Sequence, residues 1–107
     1  MEISYQNIWI KNNQQMRKEE LHPEFIEQGI SLYEVLRVIR GVPLFLEQHL
    51  ERLKNSARLT NLELPLNDKE IGQRLRELIN SNQVENGNIK FVINYPEAGK
   101  TPDFYAY

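Results

Sequence analysis

Between Ser31 and Ala57 the apolar residues change period, and that change limits the fold more than any other feature of the chain. The run Ser31–Arg40 carries Leu32, Tyr33, Val35, Leu36, Val38 and Ile39. Apolar residues stand on both alternating faces, which predicts a central strand that is largely covered. Arg40-Gly41-Val42-Pro43 then reads as a turn into a short partner strand, Leu44-Phe45-Leu46. From there the spacing is helical. Leu46, Leu50, Leu53 and Ala57 form one apolar stripe on a helix predicted from Glu47 to about Leu59. Strand, turn and amphipathic helix in that order call for a sheet with a helix packed on it.

The flanks extend this pattern. Ile3-Ser4-Tyr5 through Ile8-Trp9-Ile10 is rich in β-branched and aromatic residues and predicts one or two short strands. Lys11-Asn12-Asn13-Gln14 is a polar turn, after which Gln15–Glu20 either extends a hairpin or forms a surface loop. Leu62, Leu64 and Pro65 end the first helix. Asn67-Asp68-Lys69-Glu70 has the form of a capping box. It opens a second helix whose buried face is Ile71, Leu75, Leu78 and Ile79, with Asn80-Ser81-Asn82 and Asn86-Gly87 marking the exit. Ile89–Ile93 and Phe104–Tyr107 read as strands on either side of the loop Pro96–Lys100. The expected fold is α+β: a small, mostly antiparallel sheet with two helices on one face, residues 1–107 forming a single domain. The closing Phe104-Tyr105-Ala106-Tyr107 is unusually apolar for a terminus, so either the polypeptide continues or this strand edge pairs with a second chain.

Composition narrows the function classes. Thirteen Lys and Arg against fifteen Asp and Glu give a net charge of −2, the wrong sign for a general nucleic-acid binder. No apolar run approaches the roughly 18 residues of a membrane span. Met1-Glu2-Ile3-Ser4-Tyr5-Gln6 lacks the basic start of a secretory signal, so the expected place is the cytoplasm. There is no Cys, which excludes disulfides and thiolate metal sites. His22 and His49 are the only histidines and stand in no zinc-binding spacing, so no metal site is assigned. Glu24 and Glu27 read as solvated charges beside Pro23. Gly99-Lys100-Thr101 lacks the first glycine and the following helix of a phosphate loop. Tyr5, Trp9, Tyr105 and Tyr107 read as core or interface aromatics rather than stacking platforms for nucleic acid.

One polar stripe stands out on the first helix. At about 100° per residue, Glu47, Glu51, Lys54 and Arg58 fall on the far side from the leucines. His49, Arg52 and Ser56 line the border of the buried face instead. A guanidinium there offers five donors in a fixed fork, suited to a phosphate or a carboxylate. The same placement also suits an arginine that lays its stem over the core and meets a glutamate or water.

The residues from Ser31 to Ala57 resemble the N-terminal domain of the class IV (fold-type IV) pyridoxal-phosphate enzymes, which include branched-chain and D-amino acid aminotransferases and aminodeoxychorismate lyase. The family pattern is an aromatic-Glu strand, a Gly hairpin, an aromatic residue and then H-x-x-R-L-x-x-S-A on a helix. Here these are Tyr33-Glu34, Gly41, Phe45, and His49, Arg52, Leu53, Ser56 and Ala57. Leu62–Pro65 and Gly87–Ile93 match the loop and strand that follow. The resemblance implies that Arg52 binds the phosphate of pyridoxal 5'-phosphate (PLP), with His49 and Ser56 supporting the helix and orienting the arginine. It implies that Tyr33 faces the substrate pocket, the alternative being a core aromatic. It also implies a two-domain enzyme, homodimeric when complete, acting on an amino acid or an aminodeoxychorismate-type substrate.

Three departures qualify this. The family's catalytic lysine lies in the second domain, and none of Lys11, Lys18, Lys54, Lys69, Lys90 and Lys100 stands at its position. No catalytic residue is therefore assigned, and these 107 residues alone are expected to lack transaminase activity. Asn94-Tyr95-Pro96 stands where some members carry an arginine for the substrate carboxylate. The usual F-G-D-G turn before the strand is missing, with Gly29 as a shifted counterpart. The competing expectation is a stand-alone, non-catalytic association domain that has kept the fold.

Overall fold

A computed structural model of the protein describes residues 8–17, 19, 29–96 and 101–107. The strands are β1 (Ile8–Lys11), β2 (Gln14–Arg17), β3 (Ile30–Ile39), β4 (Val42–Pro43), β5 (Asn86–Tyr95) and β6 (Asp103–Ala106), and the helices are α1 (Leu46–Leu59) and α2 (Asp68–Asn82). The strands form one sheet in the order β2-β1-β6-β5-β3-β4, and every neighbouring pair is antiparallel. Both helices contribute to the core on one face, so the expected α+β arrangement is the observed one. The expectations on Ile3–Tyr5, His22, Glu24, Glu27, Gly99 and Lys100 lie outside the described residues.

The longest ladder joins β3 and β5 over ten residue pairs, from Ile30↔Tyr95 to Ile39↔Asn86. It makes β5 longer than the Ile89–Ile93 run suggested, because pairing with β3 recruits the polar Asn86, Asn88 and Asn94 into the strand. Side chains alternate across a pleated strand. Leu32, Glu34, Leu36 and Val38 therefore turn toward the helices and are buried, whereas Tyr33, Val35 and Ile39 turn away and are 59%, 45% and 40% exposed. This corrects the expectation of a strand covered on both sides. Its outer-face residues are apolar, yet the helices cover only the other face.

The expected hairpin after β3 forms around Arg40-Gly41, both with positive φ (53° and 76°), as a tight two-residue turn requires. Its second strand is only Val42–Pro43, not the expected Leu44–Leu46. Phe45 instead takes a left-handed conformation and starts α1 without a side-chain cap. In α1, Leu50, Leu53 and Ala57 are buried, with Leu46 packed beside them. The capping box of α2 is present: Glu70 N–H donates to Asn67 Oδ1 at 2.8 Å and Asn67 N–H donates to Glu70 Oε1 at 2.9 Å. Ile71, Leu75, Leu78 and Ile79 are buried as the period required.

At the other end of the sheet, β6 lies between β5 and β1 and bonds to both. Phe104, Tyr105 and Ala106 are at most 2% exposed. Phe104 and Tyr105 are therefore interior, and β6, paired on both sides, is not a sheet edge open to a second chain. On the face away from the helices, Val92 and Tyr105 are buried with Trp9, Met16 and Tyr107. The Trp9 and Tyr107 rings stack at 3.9 Å. Asn82, the last residue of α2, ties the helix to β1. Ile8 N–H donates to its Oδ1 at 3.1 Å, and its Nδ2 donates to the Ile8 carbonyl at 2.8 Å and the Leu78 carbonyl at 3.1 Å. Removing a buried, fully satisfied amide strands its partners, so Asn82→Ala is expected to lower stability by about 1–3 kcal/mol. A lower urea midpoint with an unchanged m-value would register it.

Candidate functional site

An acid on the inner face of a strand among leucines needs partners, because an isolated buried carboxylate costs several kcal/mol. Glu34 is that acid. It sits on β3 between Leu32 and Leu36, opposite Phe91 of β5, and is 4% exposed. Helix α1 supplies the partners from its border stripe. His49 Nδ1 lies 2.6 Å from Glu34 Oε1. Arg52 Nε donates to Oε2 at 3.1 Å and its Nη2 donates to Oε1 at 2.9 Å. A carboxylate only accepts, so His49 Nδ1 carries the hydrogen of that bond. The hydrogen bonds from Arg52 to Glu34, and then the charge of Glu34, hold the guanidinium above its ordinary pKa.

The side chain of Arg52 is nevertheless 68% exposed. Its inner edge, Nε and Nη2, is taken by Glu34, while Nη1 has no partner among the described residues. The glutamate contact expected of a border arginine is thus present. Ser56 does not join the cluster; its backbone carbonyl accepts from the N–H and hydroxyl of Thr60. In the sequence Glu34 stands only as part of a motif, with no role of its own. The signal was present: a single acid in register with Leu32, Leu36 and Val38 on the face that had to be buried.

Tyr33 points from the opposite face of β3. Its ring carries Lys90 Nζ at 4.7 Å from the centroid, the two strands placing Lys90 on the same face beside Val35. At 59% exposed it is not packed into the core of the described residues. Nor does the structure bring Tyr33 into contact with Arg52. What the two share is β3: Arg52 bonds Glu34 from its helix-facing side, and Tyr33 leaves its other side. Strand β4 pairs only with Val38 and Ile39, and Leu44 N–H bonds the Arg37 carbonyl at 2.8 Å. Among the described residues no strand pairs with the outer edge of β3 from Ile30 to Leu36.

The position compared with a substrate-carboxylate arginine is filled by structural residues. Asn94 is 1% exposed and its Nδ2 donates to Ser31 Oγ at 2.9 Å. The Tyr95 hydroxyl donates to the Glu63 carbonyl at 2.7 Å, and burial raises its pKa. A pocket between the end of α2 and the start of β5 is lined by Leu78, Asn82, Val84 and Ile89 and includes none of Tyr33, Glu34, His49 and Arg52. The Arg52 side chain itself is largely exposed. Among the described residues no cluster of three His, Asp or Glu could hold a metal, and no helix is long and apolar enough to cross a membrane.

Comparison with known proteins gives the family and the fold. Residues 31–107 match the amino-transferase class IV family. The chain is 30% identical over 79 residues to a D-alanine aminotransferase of Bacillus licheniformis, covering 74% of this chain and 27% of that protein. It is 30% identical over 66 residues to an aminodeoxychorismate lyase of Bacillus subtilis (strain 168), covering 62% of this chain and 22% of that protein. The chain thus spans about a quarter of the length of these curated relatives. Its fold matches the solved branched-chain amino acid aminotransferase of Escherichia coli, with a TM-score of 0.79 at 21% identity, over 94% of this chain and 39% of that one.

Proposed function

This chain belongs to the class IV amino-transferase family, and from that premise we propose that it is the part of a PLP-dependent enzyme that holds the cofactor's phosphate through Arg52. The observation that carries the reading is the locked, outward-facing fork of Arg52 at the arginine of His49-x-x-Arg52-Leu53. The donor set fits the group: a guanidinium presents parallel N–H groups in the geometry of phosphate oxygens and takes no part in proton transfer. Bound PLP supplies an electron sink for bonds at the substrate's amine-bearing carbon. In this proposal the lysine and the acid that faces the pyridine nitrogen belong to a second domain, and the complete enzyme is a cytoplasmic homodimer.

Tyr33 is proposed to line the substrate side. A ligand lying across the outer edge of β3, which no described strand pairs from Ile30 to Leu36, has Arg52 toward one face and the Tyr33 ring toward the other. The substrate class is an amino acid or aminodeoxychorismate, in keeping with the two curated relatives.

The test uses the complete polypeptide. Borohydride reduction with PLP should leave one covalent adduct by intact mass, on a lysine outside residues 1–107. Arg52→Ala should weaken PLP binding by roughly 100-fold, since a charge-assisted bidentate contact is lost. Arg52→Lys should recover only part of it, because an ammonium lacks the fork. Wild-type PLP affinity in Arg52→Ala, or no adduct, would overturn the reading in favour of a non-catalytic association domain.

A further inference from the structure

We propose that Glu34 is the positioning residue of the phosphate site: it clamps Arg52 by one edge of the guanidinium so that the other edge stands preformed for the anion. The proposal rests on the reading of Arg52 as the phosphate ligand. The geometry is an accounting of donors. A guanidinium has five N–H groups and two bidentate edges, one made by Nε and Nη2, the other by Nη1 and Nη2. Glu34 takes the first edge with both of its oxygens, at 3.1 Å and 2.9 Å. Both hydrogens of Nη1 and the second of Nη2 remain without a partner among the described residues. One from each nitrogen makes the second edge, which a phosphate takes two-pronged.

The clamp is itself held. Glu34 is buried on the helix-facing side of β3 and its Oε1 also accepts from His49, one turn before Arg52 on α1. A long, exposed arginine is otherwise free to sample many rotamers, and ordering it on binding costs affinity. Here β3 fixes the acid, and the acid fixes the fork. The order of residues follows from this: Glu34 lies in register with the core, while Arg52 stands on the helix border directly above it.

Charge alone points the opposite way. Glu34 neutralises Arg52, so removing its charge raises the net positive charge at the site and should attract an anion more strongly. Arg52 is mostly exposed, however, and Coulomb attraction there is screened by water and salt. Orientation is therefore expected to outweigh charge, and the sign of the effect separates the two.

The experiment measures dissociation constants of PLP and of pyridoxal, which lacks the phosphate, in the complete protein carrying Glu34→Gln. The ratio of the two constants isolates the phosphate contribution and is insensitive to a general loss of stability. Positioning predicts that Glu34→Gln weakens PLP about tenfold, in the range seen when outer partners of a ligand-holding residue are removed. Pyridoxal binding should be nearly unchanged and the salt dependence of PLP binding steeper. An unchanged or tighter PLP constant, or an unchanged ratio, would overturn the proposal. His49→Gln, which loosens only the brace on Glu34, covers the case in which Glu34→Gln does not fold. It should reduce the preference for PLP over pyridoxal by a smaller factor, and an unchanged preference there would equally overturn it. Arg52→Ala run in parallel keeps the two claims apart: loss of the ratio in Arg52→Ala but not in the Glu34 and His49 variants leaves Arg52 as the phosphate ligand and removes Glu34's role.

Discussion

Replacing Phe91 by alanine is expected to cost about 3–5 kcal/mol of folding stability, as large-to-small changes at fully buried aromatics do. Phe91 is completely buried at the centre of the sheet. Its strand neighbours are Glu34 on β3 and Ala106 on β6, and its ring lies 5.9 Å from that of Phe104. Both neighbouring strands are anchored there, so the cavity cannot be closed by shifting either one alone. A domain of this size has about 5–15 kcal/mol in total, and the variant is expected to sit close to its unfolding midpoint in mild urea. Tyr33→Ala, on the same sheet but the exposed face, should change stability by less than about 1 kcal/mol. Urea midpoints for the two variants check the assignment of faces. Equal losses would mean that the outer face is as well packed as the inner one.

That contrast is also where the sequence was least legible. The period of α1 and α2 fixed their buried faces, since Leu50, Leu53, Ala57, Ile71, Leu75 and Leu78 repeat at helical spacing and nothing else accounts for them. In β3 the alternation was masked, because Tyr33, Val35 and Ile39 are apolar in sequence but exposed in the structure. Composition cannot tell an apolar residue that the fold buries from one that it leaves outside. The position of β6 was hidden for another reason. Strand order is a property of the assembled sheet, and Phe104–Ala106 reads the same at an edge as between β1 and β5. Of the candidate site, Arg52 was visible as a border residue of a helix. Its partner Glu34 lies 18 residues away on a different element and emerges only when α1 packs on β3.

Gly29→Ala is expected to cost about 2–4 kcal/mol, more than a left-handed glycine alone would account for. The residue has φ +72°, and a Cβ placed on it would come within 2.0 Å of the Tyr95 carbonyl oxygen and 2.6 Å of that of Pro96. Those are backbone atoms at the end of β5, so no side chain can move aside. The strand itself would have to give way where Ile30 pairs with Tyr95. Gly41 provides the control. It too has positive φ, +76°, but its nearest neighbour would be 3.8 Å from the added Cβ. Gly41→Ala should therefore show only the conformational cost, about 1–2 kcal/mol, and the difference between the two variants measures the close approach. The functional consequence follows from register. Prying β3 from β5 at Ile30 frees the end that leads into Tyr33, whereas Glu34 remains held by His49 and Arg52 from the helix side. Hydrogen exchange in Gly29→Ala should accordingly rise at Ile93 and Tyr95 before it rises at Ile89 and Phe91. Uniform acceleration along β5 would show instead that the ladder opens as one unit and that Gly29 governs the whole sheet.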